Sequence, residues 1–356
     1  MSKENHNNEI IIENCKEMFT LVASLKACAN KKDLYKGTIL HADILNRGLL
    51  QRSPYLAATL ITMYCKCGML MKAHRVLKEL PVQNIVSWNA LISGYVQDGQ
   101  NDNAMSCFEQ MVNEGLSPDP VTFICILKAC GRMRTIDKGK QIHNEIVNRG
   151  LLEKDIVLGN ALMDMYAKCG TLEKAKQVLD ELPEQDVVSW STLIGGYAQQ
   201  GQGHEALGCF VQMESRGIFP NDVTFISILK ACSNVGSIRI GEQIHNQIVI
   251  KGLLEKDVVL ITALIDMYAK CDVLRKAQQM HDTLCSHDIV SWSALIAGYA
   301  HHSRGHDALN CFSRMQREGI SPNAITFISI LKACGSIGAI EKGKQIHDEI
   351  VNKGLL

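Results

Sequence analysis

The chain has 356 residues, and its 37 lysines and arginines balance 37 aspartates and glutamates, so bulk electrostatics argues neither for nor against an anionic partner. No apolar run is long enough to span a bilayer. Composition is uniform, without a linker rich in Pro, Gly or Ser, which favours one continuous array over two domains.

The first seventeen residues contain Glu4, Glu9, Glu13 and Glu17, the wrong composition for an acid-poor, Arg-rich transit peptide, so no targeting signal is expected in this chain. From about Met18 a repeat takes over and runs to residue 356. Its clearest markers are Trp88, Trp190 and Trp292, spaced 102 residues apart and each inside Val-Ser-Trp. The same interval carries Leu-Lys-Ala-Cys, ending at Cys28, Cys130, Cys232 and Cys334, and Met-Tyr-x-Lys-Cys around Tyr64, Tyr166 and Tyr268. Fixed-period self-similarity marks stacked supersecondary units.

Each 102-residue block divides into three helical hairpins. In the first kind Trp88, Leu91, Ile92 and Tyr95 form the apolar stripe of an amphipathic helix A, and Asp98-Gly99-Gln100 ends it. A helix B with Ala104, Phe108 and Met111 on one face then stops at Gly115. The second kind starts at Phe123, Phe225 or Phe327 and closes at Gly150, Gly252 or Gly354, with a divergent copy from Met18 to Gly48. The third has Gly159 where the aromatic would be and is shorter, its second helix ending at Leu182-Pro183. Unit lengths of 35, 36 and 31 result, with hairpins starting near 18, 54, 85, 120, 156, 187, 222, 258, 289 and 324. Helix B keeps one small residue throughout (Ala73, Ala104 and Ala175 in two kinds, Gly37, Gly139 and Gly241 in the other), which would let the two helices of a hairpin cross closely. Such short helices need neighbours, so the expected fold is all-α: a right-handed α-solenoid of stacked antiparallel hairpins, helix A lining the concave side.

The fourteen cysteines mostly recur at repeat-equivalent places and read as small buried hydrophobes, and Cys65 and Cys67 are too close in sequence for an ordinary zinc pair. His143-Asn144-Glu145 and His347-Asp348-Glu349 evoke the deaminase His-x-Glu, but His245-Asn246-Gln247 lacks the glutamate and no Cys-x-x-Cys occurs. These histidines recur with His41 on helix B as packing residues. No enzyme, metal, cofactor or small-molecule substrate is therefore expected.

The alternating unit lengths, with Val-Ser-Trp-Asn-Ala-Leu-Ile-Ser-Gly-Tyr (86–95), Thr-Phe-Ile-Cys-Ile-Leu-Lys-Ala-Cys (122–130) and Asn-Ala-Leu-Met-Asp-Met-Tyr-Ala-Lys-Cys-Gly (160–170), closely resemble plant pentatricopeptide repeat proteins of the PLS type, over residues 18–356. The resemblance implies an organellar single-stranded RNA binder of the mitochondrion or chloroplast that reads one base per repeat. It further implies site recognition for cytidine-to-uridine editing, with other editing-complex proteins supplied in trans. The last hairpin stops at Leu356 where earlier copies continue, so a truncated array is expected.

The family reads each base with the residue after the position heading helix A and the last residue before the next repeat. Carried over, this gives Asn89 with Asp119, Ser191 with Asn221 and Ser293 with Asn323 in the tryptophan units. The short units give Ala58 with Asn84, Asn160 with Asp186 and Thr262 with Asp288. In the phenylalanine units Ile124 with Asp155 and Ile226 with Asp257 would read weakly. Asn89 lies about 100° round the helix from Trp88, off the apolar stripe, and is expected to face the groove. An acidic last residue accepts from the ring N–H of uracil or guanine, whereas an amide donates to the ring nitrogen of adenine or cytosine. With the family's preferences at the first position, the implied target is 5′-N-U-N-U-A-N-G-A-3′. The resemblance also makes Val86, Val157, Val188, Val259 and Val290 base-sandwiching residues and Lys66, Lys168 and Lys270 phosphate contacts.

Plainer roles compete. Asp and Asn at a repeat's end are also what an N-cap of the next helix requires; the valines would serve as packing residues and the lysines as solvated helix ends. A peptide-binding scaffold of the tetratricopeptide kind is the functional alternative, although that family keeps one unit length near 34.

Overall fold

The computed structural model describes residues 2–51, 53–254, 257–284 and 286–354, with side chains from residue 17 onward. Within these residues there is no strand. Contacts divide the chain into two compact units, residues 1–184 and 185–356.

In the first unit the helices are α1 (Ser2–Lys31), α2 (Leu34–Asn46), α3 (Pro54–Lys66), α4 (Leu70–Glu79), α5 (Ile85–Asp98), α6 (Asn101–Asn113), α7 (Pro120–Met133), α8 (Ile136–Asn148), α9 (Ile156–Lys168) and α10 (Leu172–Glu181). One turn of 3-10 helix, Leu49–Gln51, precedes α3. In the second unit they are α11 (Val187–Gln199), α12 (Gly203–Ser215), α13 (Asp222–Val235), α14 (Ile238–Ile250), α15 (Val258–Lys270), α16 (Leu274–Asp282), α17 (Ile289–His301), α18 (Gly305–Arg317), α19 (Ala324–Ile337) and α20 (Ile340–Asn352). Odd-numbered helices are the A helices of successive hairpins and even-numbered ones the B helices. Helix α1 is continuous from Ser2, so the stretch before Met18 is helical with the first hairpin; Met1, the side chains of residues 2–16, and Leu355 and Leu356 lie outside the described residues.

Both units are two-layered stacks. Within each unit an A helix packs on the A helix of the next hairpin, as α3 on α5 and α13 on α15, while a B helix packs on its own A helix and on the following one. The aromatic heads are the anchors: Trp88, Trp190, Trp292, Phe123, Phe225 and Phe327 are buried. In several hairpins a cation from the end of helix B covers that ring, as Arg149 over Phe123 at 5.4 Å and Arg216 over Trp190 at 5.2 Å.

Where the small position on helix B is glycine, it has a further reason beyond the one its sequence suggested. A Cβ on Gly139 would stand 2.5 Å from Met165 Sδ, and Gly37 and Gly241 face Met63 and Met267 in the same way. These methionines belong to helix A of the next hairpin, so at these three positions the glycine admits a neighbouring unit, whereas at Gly343 the nearest atom is Cys334 Cβ of its own hairpin, at 3.9 Å. Glycine also ends most helices, but Lys32, Arg134, Asp272 and Ser303 take the left-handed position after α1, α7, α15 and α17. Gly236 and Gly338 close α13 and α19 in the left-handed region, where α7 ends on Arg134 at φ 56°. An L-residue is strained there.

Candidate nucleic-acid interface

Every A helix from α5 to α19 begins with a carboxylate or amide. Asn84, Asp119, Asp186, Asn221, Asp288 and Asn323 accept from the backbone N–H three residues on, at 2.8–3.0 Å. Asp155 and Asp257 cap α9 and α15 by accepting from Val157 N and Val259 N. Capping, the plainer role, is therefore present in all of them. It occupies mainly one side-chain atom: at Asn221 and Asn323 the bonds are to Oδ1, and Nδ2 forms no hydrogen bond among the described residues.

The first members of the pairs do not lie open to the groove. Asn89 keeps 9% of its surface exposed and Ser191 and Ser293 keep 5% each, and Ala58 is buried as well. A residue 100° round from the tryptophan points at the A helix of the next hairpin. There Asn89 Nδ2 donates to both carboxylate oxygens of Asp119, at 2.9 and 3.1 Å, and Thr122 Oγ1 donates to Asn89 Oδ1 at 2.6 Å. Ser191 Oγ lies 2.6 Å from Thr224 Oγ1, and Ser293 Oγ lies 2.8 Å from Thr326 Oγ1 and 3.5 Å from Asn323 Oδ1. The spacing rule thus brings Asn89 and Asp119 into contact, and Ser293 and Asn323 to its edge. Thr262 is half-buried and donates its hydroxyl to Val258 O at 2.8 Å, one turn back. Asn160 is half-buried on α9 in the first unit, and Asp186 caps α11 in the second.

Val86, Val157, Val188, Val259 and Val290 are all 46–60% exposed, so they are not core packing residues. The same position in the remaining hairpins, two residues before the heading position, is filled by Phe19, Tyr55, Val121, Val223 and Ile325, each at least half exposed. The sequence reading left these out, although their register to the heading position matches that of Val86 to Trp88. Lone exposed apolar side chains are ordinary; one at the same place on every A helix within each unit is a repeated feature that chance does not explain.

The lysines divide. Lys168 and Lys270 pair with Asp164 at 2.5 Å and Asp266 at 2.8 Å, one turn back on their own helices, which offsets the charge a phosphate would meet. Lys66 donates to Asn30 Oδ1 at 3.2 Å and keeps its charge unmatched by any ion pair among the described residues. Lys128, Lys230 and Lys332, passed over in the sequence reading, are exposed and likewise without an ion pair. Each stands seven residues after Val121, Val223 or Ile325, two turns along the same helical face.

In the first unit these features meet in one cleft of about 320 Å³, whose walls include Lys26, Tyr55, Ala58, Lys66, Val86, Asn89 and Val121. Elsewhere the candidates for chemistry are structural. His41, His143 and His245 each hydrogen-bond a tyrosine of the next hairpin, Tyr64, Tyr166 and Tyr268, at 2.7–2.9 Å, and burial lowers their pKa values. Burial pushes the Cys65, Cys232 and Cys311 thiols up to about 12, which keeps them protonated and unreactive. Among the described residues no cluster of His, Cys, Asp and Glu could hold a metal ion.

Known proteins resemble this chain in sequence and in fold. Residues 83–132, 185–234 and 287–336 match the PPR repeat family, and residues 58–85 and 160–187 match the PPR repeat. The mitochondrial pentatricopeptide repeat-containing protein At1g06140 of Arabidopsis thaliana is 34% identical over 327 residues, 92% of this chain and 58% of that protein. The chloroplastic At4g18520 of the same plant is 34% identical over 302 residues, 85% of this chain and 48% of that one. The chain thus spans roughly half the length of such curated relatives. Among solved structures, PPR10 in complex with an 18-nt RNA element superposes with a TM-score of 0.73 at 20% identity, over 87% of this chain and 47% of that one. PPR10 from maize gives 0.66 at 20% identity, over 89% and 46%. Repeat matches in five places, relatives a third identical along nearly the whole chain, and the stacked hairpins together establish that this chain belongs to the pentatricopeptide repeat family.

Proposed function

We propose that the chain binds single-stranded RNA with base specificity, one nucleotide per hairpin, as an array of ten units of the PLS type beginning near residue 18. The observation that carries this reading is the pairing of Asn89 with Asp119, 2.9 Å apart across two hairpins and flanked by the exposed Val86 and Val121. A carboxylate and an amide beside two apolar side chains at the cleft offer hydrogen bonds to a base edge and surfaces for its faces. PPR10, whose fold this chain shares, was solved with bound RNA, which supports the class of ligand. Mitochondrial and chloroplastic relatives support an organellar site of action.

In this reading the chain recognises a site for editing or other RNA processing and leaves the chemistry to partners supplied in trans. Capping and base reading are compatible roles of one residue, because the cap takes one side-chain oxygen and leaves the other side-chain atom, or at Asp119 the second lone pair of the Oδ2 that Asn89 also meets, for the base. The test is titration with single-stranded 5′-N-U-N-U-A-N-G-A-3′ and with the same sequence held in a duplex. Tight binding to the single strand alone is expected, with a log–log salt slope of about −0.7 per phosphate contact over few contacts. Equal affinity for the duplex would overturn the proposal.

A further inference from the structure

Two of the reading pairs share a third residue. Thr224 Oγ1 lies 2.6 Å from Ser191 Oγ and 2.9 Å from Asn221 Oδ1, and it accepts from Asn221 N at 3.2 Å. In the unit 102 residues later, Thr326 Oγ1 lies 2.8 Å from Ser293 Oγ and 2.9 Å from Asn323 Oδ1, and accepts from Asn323 N at 3.4 Å. Both threonines are buried, on the third residue of the helix that follows the reading serine.

Counting protons decides which way each hydroxyl points. The amide oxygen of Asn221 is identified by the backbone N–H of Thr224 that it accepts at 2.9 Å, so it has no proton to give. Thr224 has one proton. Were that proton turned to Ser191, two lone-pair oxygens would face each other 2.9 Å apart at Asn221. It goes to Asn221 Oδ1, and the 2.6 Å contact then requires Ser191 to donate to Thr224. Ser191 is left showing only lone pairs, while Asn221 Nδ2 keeps both N–H groups. The same accounting holds for Ser293, Thr326 and Asn323.

We infer that Thr224 and Thr326 are positioning residues for base choice: by taking the serine's proton they turn Ser191 and Ser293 into pure acceptors beside an amide donor. The inference rests on the base-reading function proposed above. An acceptor next to a donor matches an edge with an exocyclic amine beside a bare ring nitrogen, as adenine presents. It rejects guanine, whose O6 and N1–H are the reverse. The unit of Thr262 lacks this device. Ser291, at the equivalent place after Thr262, donates to Asp288 O at 3.0 Å within its own helix start.

Thr224→Val removes the hydroxyl at constant shape and frees the Ser191 proton to rotate toward a guanine O6. With single-stranded 5′-N-U-N-U-A-N-G-A-3′ and its counterpart bearing G at the fifth nucleotide, the adenine-over-guanine preference should fall about fivefold, the worth of one hydroxyl hydrogen bond. Preference at the seventh nucleotide should not change. In a Ser191→Ala background Thr224→Val should leave the ratio at the fifth nucleotide where it was, since no proton remains to release; a merely structural effect would weaken all the RNAs in both backgrounds. Thr326→Val, read at the eighth nucleotide, repeats the test should Thr224→Val fold poorly. A ratio unmoved by either substitution overturns the threonine's role. If Asn221→Asp also leaves the fifth nucleotide unread, base reading itself fails; if Asn221→Asp switches the preference while both valine variants leave it unmoved, only the threonine's role falls.

Discussion

Asp288→Asn separates capping from reading. Asp288 is the N-cap of α17, accepting from Ser291 N at 2.8 Å. Asn221 and Asn323 do the same work at α13 and α19 with bonds of 2.9 Å, so the substituted residue has a tested local geometry to adopt. Asn and Asp are near-equal N-caps, and stability should change by under about 0.5 kcal/mol. The groove side changes far more. Thr262 donates its proton to Val258 O and so presents lone pairs; with the Asp288 carboxylate the site is two acceptors, matching the adjacent N1–H and N2–H donors of guanine. In Asp288→Asn one acceptor becomes a donor, and the complementary edge becomes that of adenine. Replacing a satisfied hydrogen bond to a charged group with a mismatched one costs about 1–3 kcal/mol, a preference of roughly ten- to a hundredfold. Two RNAs differing only at the seventh nucleotide, G or A, titrated by fluorescence anisotropy against both proteins, measure it. The reasoning fails if the two proteins treat the RNAs alike, or if the variant weakens both equally.

Three further outcomes concern stability. His281 is fully buried against Trp292 and stacked on His287, where the other copies of the repeat carry Leu77 and Leu179. Burial first, then His287, lowers its pKa to about 4, with Asp282, Arg314 and Glu318 also facing it. The unfolded chain therefore binds the extra proton first: this contribution is complete above about pH 6.5 and is lost as pH falls toward 4, about 3 kcal/mol in all. Urea unfolding between pH 4 and 8 should show that loss, and His281→Leu should remove most of it; an unchanged pH profile in the variant would assign the acid sensitivity elsewhere. Leu127 and Leu229 are fully buried by the hairpin that follows them, whereas Leu331 in the last hairpin is 38% exposed. Leu229→Ala should cost about 2–5 kcal/mol and Leu331→Ala under about 1 kcal/mol, and equal midpoint shifts would contradict the burial. Arg134→Gly should raise stability by about 1 kcal/mol by relieving the left-handed C-cap of α7, seen as a higher thermal midpoint; a lower one would mean that the arginine side chain contributes more than its backbone costs.

Periodicity alone was enough for the hairpins, because a helix's apolar stripe and its glycine stop are local facts: Trp88, Leu91, Ile92 and Tyr95 lie on one face whatever stands opposite. The caps were legible for the same reason, since Asp119 reaches only three residues to Thr122 N. What faces what was not. Position one after the tryptophan was rightly placed off the stripe, but an azimuth does not say whether solvent or the next helix lies there, and the next helix does. Contact between Asn89 and Asp119, 30 residues apart, and between Ser191 and Thr224, 33 apart, exists only once hairpins stack at a particular distance and rotation. The same stacking sets Gly139 against Met165 of the next hairpin, and encloses His281 where a leucine would have been unremarkable. Sequence determined the units, their lengths and their polar ends through interactions closed within a turn or two of helix. Tertiary structure decided which polar ends meet, because a contact between neighbours depends on the helical packing of both.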